Sequence, residues 1–187
     1  MSLARIAYIL LFFVATWSGY YLYDKEQEFD IQVAPNQELP MFTGRNIENT
    51  SYTEQGLRSY IITSVYLENF AENGDIWFDL PVLKVYKDGT IQEWEITADR
   101  AKLDSDQILT LYDNVIANNM LDESGFDTMT TSELSIKLTN RDFWADNQVV
   151  LIGPQFETEG QAMKGNFADN NAVLYNYVQG RYETLAP

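Results

Sequence analysis

The segment Glu93-Trp94-Glu95-Ile96-Thr97-Ala98-Asp99 decides the fold class, because polar and apolar residues alternate in it without a break. A second segment, Glu133-Leu134-Ser135-Ile136-Lys137-Leu138-Thr139, has the same period of two. Successive side chains of a β-strand point to opposite faces, so this period predicts strands that are buried on one face only. Both segments therefore indicate a sheet with one apolar face and one polar face.

Short apolar stretches separated by turn residues continue this pattern along the chain. They are residues 60–67, 82–86, 108–112, 149–152, 162–167 and 172–178. Residues 87–90, Lys-Asp-Gly-Thr, contain the Asp-Gly pair that favours a tight hairpin. No segment after residue 23 sustains the i, i+3, i+4 spacing of a long helix. The sequence therefore predicts an all-β domain of antiparallel strands, in the form of a sandwich, a barrel or a roll.

Residues 98–115 and 168–180 share a loose spacing of alanine and leucine. A repeated spacing of this kind predicts hairpin rungs that stack on one another. Such a stack leaves an open strand edge at each end. An open edge either carries protective charge or accepts a strand from another protein.

Residues 6–23, IAYILLFFVATWSGYYLY, form an uncharged run about as long as the shortest helices that cross a bilayer. Arg5 precedes the run and acidic residues follow it, so the excess of positive charge places residues 1–5 in the cytoplasm. We predict a transmembrane helix over 6–23, a polar linker over 24–38 and a folded domain over 39–187. A cleaved signal peptide is the alternative, although no small-residue cleavage site follows the run. The residues assigned to the membrane anchor are Ile6, Leu10, Phe13, Trp17 and Tyr21.

Composition excludes several classes of function. The chain has 12 basic and 28 acidic residues among 187, and its net charge of −16 would repel nucleic acid. Histidine and cysteine are both absent, which removes imidazole acid–base chemistry, thiol nucleophiles, disulfides and the usual zinc sites. The sequence contains no phosphate-binding loop, nucleophile elbow or dinucleotide fingerprint. We therefore expect no enzyme activity, no cofactor and no metal site.

Acidic side chains offer the remaining route to covalent chemistry. Glu157 with Glu159, or Asp104 with Asp106, are candidate carboxylate pairs of the kind that glycosidases use. These residues lie in polar, turn-like stretches, which favour solvated side chains. We therefore predict no catalytic residue.

The inward apolar side chains are the remaining candidates for a binding site. Apolar residues on strands with an acidic outer face suit a fatty acyl chain as well as they suit ordinary core packing. Alternation alone does not distinguish a ligand wall from a core. The candidates on this pattern are Trp94, Ile96, Leu134, Ile136, Met163, Phe167 and Leu174.

Four strings together point to a known family. They are Trp77-Phe78-Asp79-Leu80-Pro81-Val82-Leu83, Trp94-x-Ile96-x-Ala98-Asp99-x-Ala101-Lys102-Leu103, Leu109-x-Leu111-Tyr112 and Met163-Lys164-Gly165-Asn166. With the N-terminal anchor, they closely resemble the LptC family of lipopolysaccharide transport proteins, over essentially the whole chain. The resemblance implies a single-pass protein of the inner membrane with a periplasmic β-jellyroll of the OstA-like kind.

The resemblance also implies a function in outer-membrane biogenesis. The jellyroll would accept lipopolysaccharide from the ABC transporter formed by LptB, LptF and LptG and pass it to the periplasmic protein LptA. The transmembrane helix would dock on the transporter and modulate its ATPase. The alternative is a structural scaffold that recruits partners through its edge strands without holding lipid.

Particular positions follow from the same resemblance. The acyl chains would lie inside the jellyroll, where Ile47, Phe78, Ala172 and Tyr182 extend the lining. Residues 41–60 would face the LptF jellyroll, and residues 172–182 would face LptA. Two glycines match family positions where a small residue lets another chain approach, although each is equally interpreted as an ordinary turn glycine. The expected partner-interface residues are Gly56, Gly153, Ala172 and Val178.

Overall fold

The computed structural model describes Tyr8, residues 11–18, Tyr20 and residues 39–70, 74–121, 125–169 and 171–182. The chain divides into two units, Met1–Asn36 and Gln37–Pro187. In the first unit the described residues are helical, and Phe13 and Trp17 are exposed. None of the helical segments in the described ranges is both long and apolar enough to cross a membrane.

The structure therefore describes only part of the predicted membrane anchor. Ile6, Leu10 and Tyr21 lie outside the described residues, as do the predicted cytoplasmic segment 1–5 and the linker 24–38. The transmembrane helix over 6–23 stays a prediction.

The second unit is built from antiparallel β-strands, which confirms the predicted fold class. Fourteen strands occur in its described residues, and every pairing between them is antiparallel. The strands are β1 (Phe42–Tyr52), β2 (Arg58–Asn69), β3 (Ile76–Asp79), β4 (Val82–Lys87), β5 (Ile91–Thr97), β6 (Arg100–Leu103), β7 (Ile108–Asn119), β8 (Thr128–Lys137), β9 (Asp142–Ala145), β10 (Val149–Gly153), β11 (Phe156–Gly160), β12 (Ala162–Asn166), β13 (Asn171–Tyr175) and β14 (Gln179–Tyr182).

The strands form two sheets that share their longest members. Sheet A has the order β2, β4, β5, β7, β8, β10, β11, β14. Sheet B has the order β2, β3, β6, β7, β8, β9, β12, β13. β1 pairs along both halves of β2. Because β2, β7 and β8 contribute one half to each sheet, the sheets meet along one line, which we call the corner.

Each pass of the chain across both sheets forms one bent rung. The described residues contain nine rungs, which follow one another in space in the order of the sequence: β1, β2, β3–β4, β5–β6, β7, β8, β9–β10, β11–β12 and β13–β14. The spacing in the sequence correctly predicted stacked rungs. The prediction that each rung is a hairpin was wrong, because a rung is one pass of the chain, made of one strand or of two consecutive strands, that bends at the corner.

Backbone geometry at the corner produces the bends. Six residues with positive φ lie there, and the left-handed conformation turns the chain sharply within one or two residues. These residues are Asn46, Leu80, Asp113, Asn114, Asn176 and Tyr177. Backbone hydrogen bonds continue through the bend, since Leu80 N donates to Asp99 O at 2.8 Å and Asp99 N donates to Asp113 O at 3.0 Å. Backbone hydrogen bonds therefore connect the third, fourth and fifth rungs at the point where the chain leaves one sheet for the other.

The turns between rungs lie opposite the corner, at the free ends of the two sheets, which we call the mouth. In the described residues, sheet A contributes the connections 53–57, 88–90, 120–121 with 125–127, and 154–155, and sheet B contributes residue 70 with 74–75, 104–107, 138–141 and 167–169. Lys87-Asp88-Gly89-Thr90 forms the predicted turn, and Asp88 and Gly89 both have positive φ. Asp104 closes another turn, because its Oδ1 accepts from the backbone N of Asp106 and of Ile108 at 2.9 Å.

The predicted strands were correct, but the eleven-residue β1 and several shorter strands were missed. Each of the predicted segments overlaps an observed strand, whereas β3, β6, β9, β11 and β14 have only four or five residues each. Such short strands contain too few alternations to be recognised by their period. Tertiary pairing with their longer neighbours determines them.

Gly165 lies where two neighbouring strands pack closely against β12. A Cβ atom there would overlap the carbonyl oxygen of Asn171 on β13 and the ring of Phe143 on β9. Gly165 lies opposite both Phe143 and Ala172 in the strand register. Only glycine allows the aromatic ring to lie flat against the backbone of β12.

We predict that Gly165→Ala destabilises the domain by about 1–3 kcal/mol, because backbone and ring must both move to admit one methyl group. The free energy of unfolding in urea measures the effect. Gly125→Ala is the matched control, since no atom lies within 4 Å of its added Cβ. A Gly165→Ala variant as stable as the Gly125→Ala variant would contradict this account.

Candidate functional site

The space between the two sheets, called the interior below, holds nearly all the residues that the sequence assigned to lipid. Seven of them are buried, with exposures from 0% to 3%. Those seven are Phe78, Trp94, Ile96, Leu134, Ile136, Met163 and Phe167. Burial fits both interpretations of these residues, as the wall of a ligand site or as core. Their contacts with one another show which applies to this structure.

At the mouth of the central rungs, aromatic rings meet across the gap between the two sheets. The ring centroids of Trp94 in sheet A and Phe167 in sheet B are 5.0 Å apart. Phe167 also lies 4.3 Å from Phe143, and Trp94 lies 5.4 Å from Phe126. The gap beside them, lined in part by Leu83 and Ile136, has a volume of about 10 Å³. A space of that size holds about one water molecule, so the interior is packed as core at this gap.

The two terminal rungs differ from the centre, because their inward apolar residues are only partly covered. Ile47 on β1 packs against the core at one end, and Ala172 and Leu174 on β13 do so at the other. Tyr182 on β14 lies opposite Phe156 in the register and is 75% exposed. The apolar interior therefore reaches the surface at both ends of the stack.

The strands at those ends each have an unpaired edge in the described residues, and two of the residues predicted for the interface, Ala172 and Val178, lie beside one of these edges. Within the described residues β1 pairs only with β2, β13 only with β12, and β14 only with β11. Val178 lies between β13 and β14 and is exposed. Large apolar side chains accompany these edges, including Phe42 and Tyr52 on β1 and Val173 on β13.

The two glycines predicted for the interface have different surroundings. Gly56 lies in the turn before β2 with φ of 78°, and no atom is within 4 Å of an added Cβ. It is an ordinary turn glycine in this structure, with its N donating to Thr53 O at 2.9 Å. Gly153 instead lies beneath the ring of Phe156, which an added Cβ would overlap. Its missing side chain lets Phe156 cover the interior near Tyr182.

Glu93 departs from the alternation that the sequence predicted. Val85 pairs with Trp94 and Tyr86 pairs with Gln92, so Glu93 is one extra residue on β5, a β-bulge. The strict alternation would place Glu93 on the outer face with Glu95. The bulge instead buries it beside Trp94, leaving it 3% exposed.

Arg141 is the partner of this buried carboxylate. It lies in the turn between β8 and β9, and its Nη1 is 3.5 Å from Glu93 Oε2. Its Nη2 donates to the carbonyl of Tyr86 at 2.9 Å. Burial raises the pKa of Glu93, while the charges of Arg141 and then Lys87 lower it and that of Asp88 raises it. The pair joins sheet B to sheet A at the mouth.

Acidic residues considered for hydrolysis have structural contacts instead. Asp104 caps a turn, as described above, and Glu159 Oε2 accepts from Gln148 Nε2 at 3.1 Å on an exposed face. Across the parts of the chain that the structure describes, no three acidic side chains converge closely enough to hold a metal ion.

Sequence reasoning missed four residues that shape the interior: Phe126, Phe143, Arg141 and Glu93. Phe143 and Phe126 lie in or beside strands too short or too irregular for a periodic signal. Arg141 lies in a polar turn, where nothing local indicates a buried partner. The extra residue at Glu93 is set by the pairing of β5 with β4, which a single strand does not reveal.

The comparisons with known proteins agree with the resemblance. A family model described as "Lipopolysaccharide-assembly, LptC-related" matches residues 8–183. The lipopolysaccharide export system protein LptC of Escherichia coli K12 is 30% identical over 158 residues, covering 84% of this chain and 83% of that protein. The protein of the same name from Haemophilus influenzae is 25% identical over 169 residues, covering 81% of each chain. The match extends over nearly all of the strands described above, and the chain belongs to the LptC family.

Proposed function

We propose that this protein carries lipopolysaccharide in transit to the outer membrane, with the acyl chains held between its two sheets. The observation that supports this most directly is the apolar interior that continues through all nine described rungs and reaches the surface at both terminal rungs. An interior of that form suits a flexible hydrocarbon chain that enters at one end and leaves at the other. Membership of the LptC family supplies the identity of the lipid.

The two exposed edges suggest how the path continues into neighbouring proteins. An unpaired edge strand presents backbone groups that can extend a sheet into another protein. In our proposal β1 joins the jellyroll of LptF in the LptB, LptF and LptG transporter. The β13 and β14 edge joins LptA. The partly covered Ile47 and Ala172 then lie at the two junctions.

Acyl burial provides the affinity in this proposal. The net charge of −16 disfavours the phosphates of lipopolysaccharide, so headgroup attraction is not the main source of binding. Each methylene removed from water contributes roughly 0.8 kcal/mol, so a few partly covered chains bind strongly. Forward movement then requires energy from the ATP-driven partner.

The N-terminal segment completes the proposal. Residues 6–23 anchor the chain in the inner membrane, with residues 1–5 in the cytoplasm and residues 39–187 in the periplasm. The uncharged run and the preceding Arg5 support this topology. The helix docks on the transporter and modulates its ATPase.

A second candidate function has one observation in its favour. The interior is filled by Trp94, Phe167 and their neighbours, as a permanent core would be. On this alternative the protein is an assembly scaffold that recruits partners through β1, β13 and β14 and never holds lipid itself.

A photoreactive residue at Phe78 tests the carrier function. Phe78 is 3% exposed and faces the interior, so we expect it to cross-link lipopolysaccharide when LptB, LptF, LptG and ATP are supplied. Trp77 is the matched control, because it is the adjacent residue on the outer face, where it stacks on Tyr112. Gel detection of the lipid adduct measures both. Equal labelling at the two positions, or labelling independent of ATP, would contradict relayed delivery.

A charged residue introduced at the last rung distinguishes the carrier function from the scaffold function. Ala172 is partly buried at a terminal rung, so we expect Ala172→Asp to lower Tm by no more than about 4 °C. We also expect it to reduce lipid transfer to LptA on the order of tenfold, because a carboxylate at the exit opposes the passage of acyl chains. Val173→Asp, on the exposed outer face of the same strand, should retain transfer. If Ala172→Asp unfolds the domain, the interior is a closed core and the scaffold is favoured.

A further inference from the structure

The mouth of the domain is closed by two different kinds of contact between the sheets. One is the aromatic cluster, in which Phe167 from a sheet B turn packs on Trp94 of sheet A. The other is the ion pair between Glu93 and Arg141. Both lie at the free ends of the sheets. The corner, by contrast, is held by continuous backbone ladders, so any separation of the sheets must begin at the mouth.

Arg141 is placed so that it binds both sheets. Its backbone belongs to sheet B, since Arg141 N donates to Lys137 O at 2.8 Å and Arg141 O accepts from Phe167 N at 3.0 Å. Its guanidinium contacts sheet A, where it donates a hydrogen bond to the Tyr86 carbonyl and forms the ion pair with Glu93. The planar fork of arginine makes both contacts at once, which an ammonium group does not do.

The closed arrangement also leaves polar atoms unsatisfied. Among the described residues, neither Trp94 Nε1 nor Glu93 Oε2 has a hydrogen-bond partner, and the only contact of Glu93 Oε2 with a charged group is its ion pair with Arg141. Buried polar atoms without partners disfavour the state that contains them. The ion pair favours closure, while the burial of the Glu93 carboxylate and the unpartnered Trp94 Nε1 oppose it, and a balance of that kind permits a second, open arrangement.

The space that opening would create is where the proposed cargo belongs. Tyr60, Leu83, Val85, Ile136 and Phe167 line the narrow gap beside Arg141, so they would form its walls. The gap of about 10 Å³ excludes a hydrocarbon chain until the sheets move apart. Entry therefore requires the contacts at the mouth to be released.

From this geometry we propose that the Glu93–Arg141 pair is a clasp that holds the two sheets closed at the mouth, and that its release admits the acyl chains. This inference rests on the proposed carrier function. Glu93 and Arg141 act as positioning residues, because they set the spacing of the sheets.

Distance measurements between the two sides of the mouth test the clasp directly. The chain has no cysteine, so Thr90→Cys on the β4–β5 turn and Thr139→Cys on the β8–β9 turn accept spin labels without background labelling. In the full-length chain in lipid nanodiscs, we expect Glu93→Gln to add a longer component to the distance distribution. The open population should rise about tenfold, the factor that corresponds to ~1.4 kcal/mol. Asp79→Asn is the matched control, since its ion pair with Arg100 at 3.4 Å lies within sheet B.

A second variant tests the clasp independently, in case the Glu93→Gln protein does not fold. Arg141→Lys keeps the charge but loses the fork, so it should also lengthen the distance while Tm and circular dichroism report a folded domain. An unchanged distance distribution in both folded variants would overturn the clasp.

Lipid uptake distinguishes failure of the clasp from failure of the carrier function. The assay places the photoreactive residue at position 78 and includes the transporter and ATP. We expect the initial rate of lipopolysaccharide labelling to be about tenfold higher with Glu93→Gln than in the protein that keeps Glu93. Asp79→Asn should leave the rate unchanged. Labelling of the wild type with no acceleration in either clasp variant would overturn the clasp and leave the carrier function intact. No labelling of any variant would overturn the carrier function, and the clasp as an entry device with it.

Discussion

The bend at the corner is the constraint on which the rest of the structure depends. Every rung crosses from one sheet to the other at this line, and the backbone ladder continues through it from Leu80 to Asp99 to Asp113. The left-handed conformation is accessible to Asn and Asp at modest cost, which explains why four of the six residues with positive φ at the corner are of these types. Because the bend is repeated in register, the apolar faces of the two sheets are opposed along the whole stack.

Opposed apolar faces create both a core and a path. In the central rungs the inward side chains are large enough to meet, as Trp94 and Phe167 do, and little space remains. At the terminal rungs no further rung among the described residues covers Ile47, Ala172 and Leu174. The same alternation that stabilises the domain therefore leaves apolar surface at each end, as the proposed continuation into neighbouring proteins requires.

The two boundaries of the interior differ in strength. The corner consists of backbone hydrogen bonds that cannot be lost without unfolding the rungs. The mouth consists of side-chain contacts, among them a buried ion pair whose desolvation offsets much of its attraction. An apolar interior that is fixed at the corner and weakly held at the mouth can be compact when it contains no lipid. The filled interior is therefore compatible with the proposed lipid path.

Because alternation is a local property of each strand, the sequence predicted the fold class, the other long strands and the inward residues from Trp94 to Phe167, but not the eleven-residue β1. It also identified the family, through strings spread along the chain. Tertiary structure decided what depends on partners distant in sequence: the short strands, the ring of Phe143 on Gly165, the burial of Glu93 and the reach of Arg141 across the mouth. A bulge arises from the register between two strands and a clasp from the approach of two sheets. Neither is encoded in the period of a single segment.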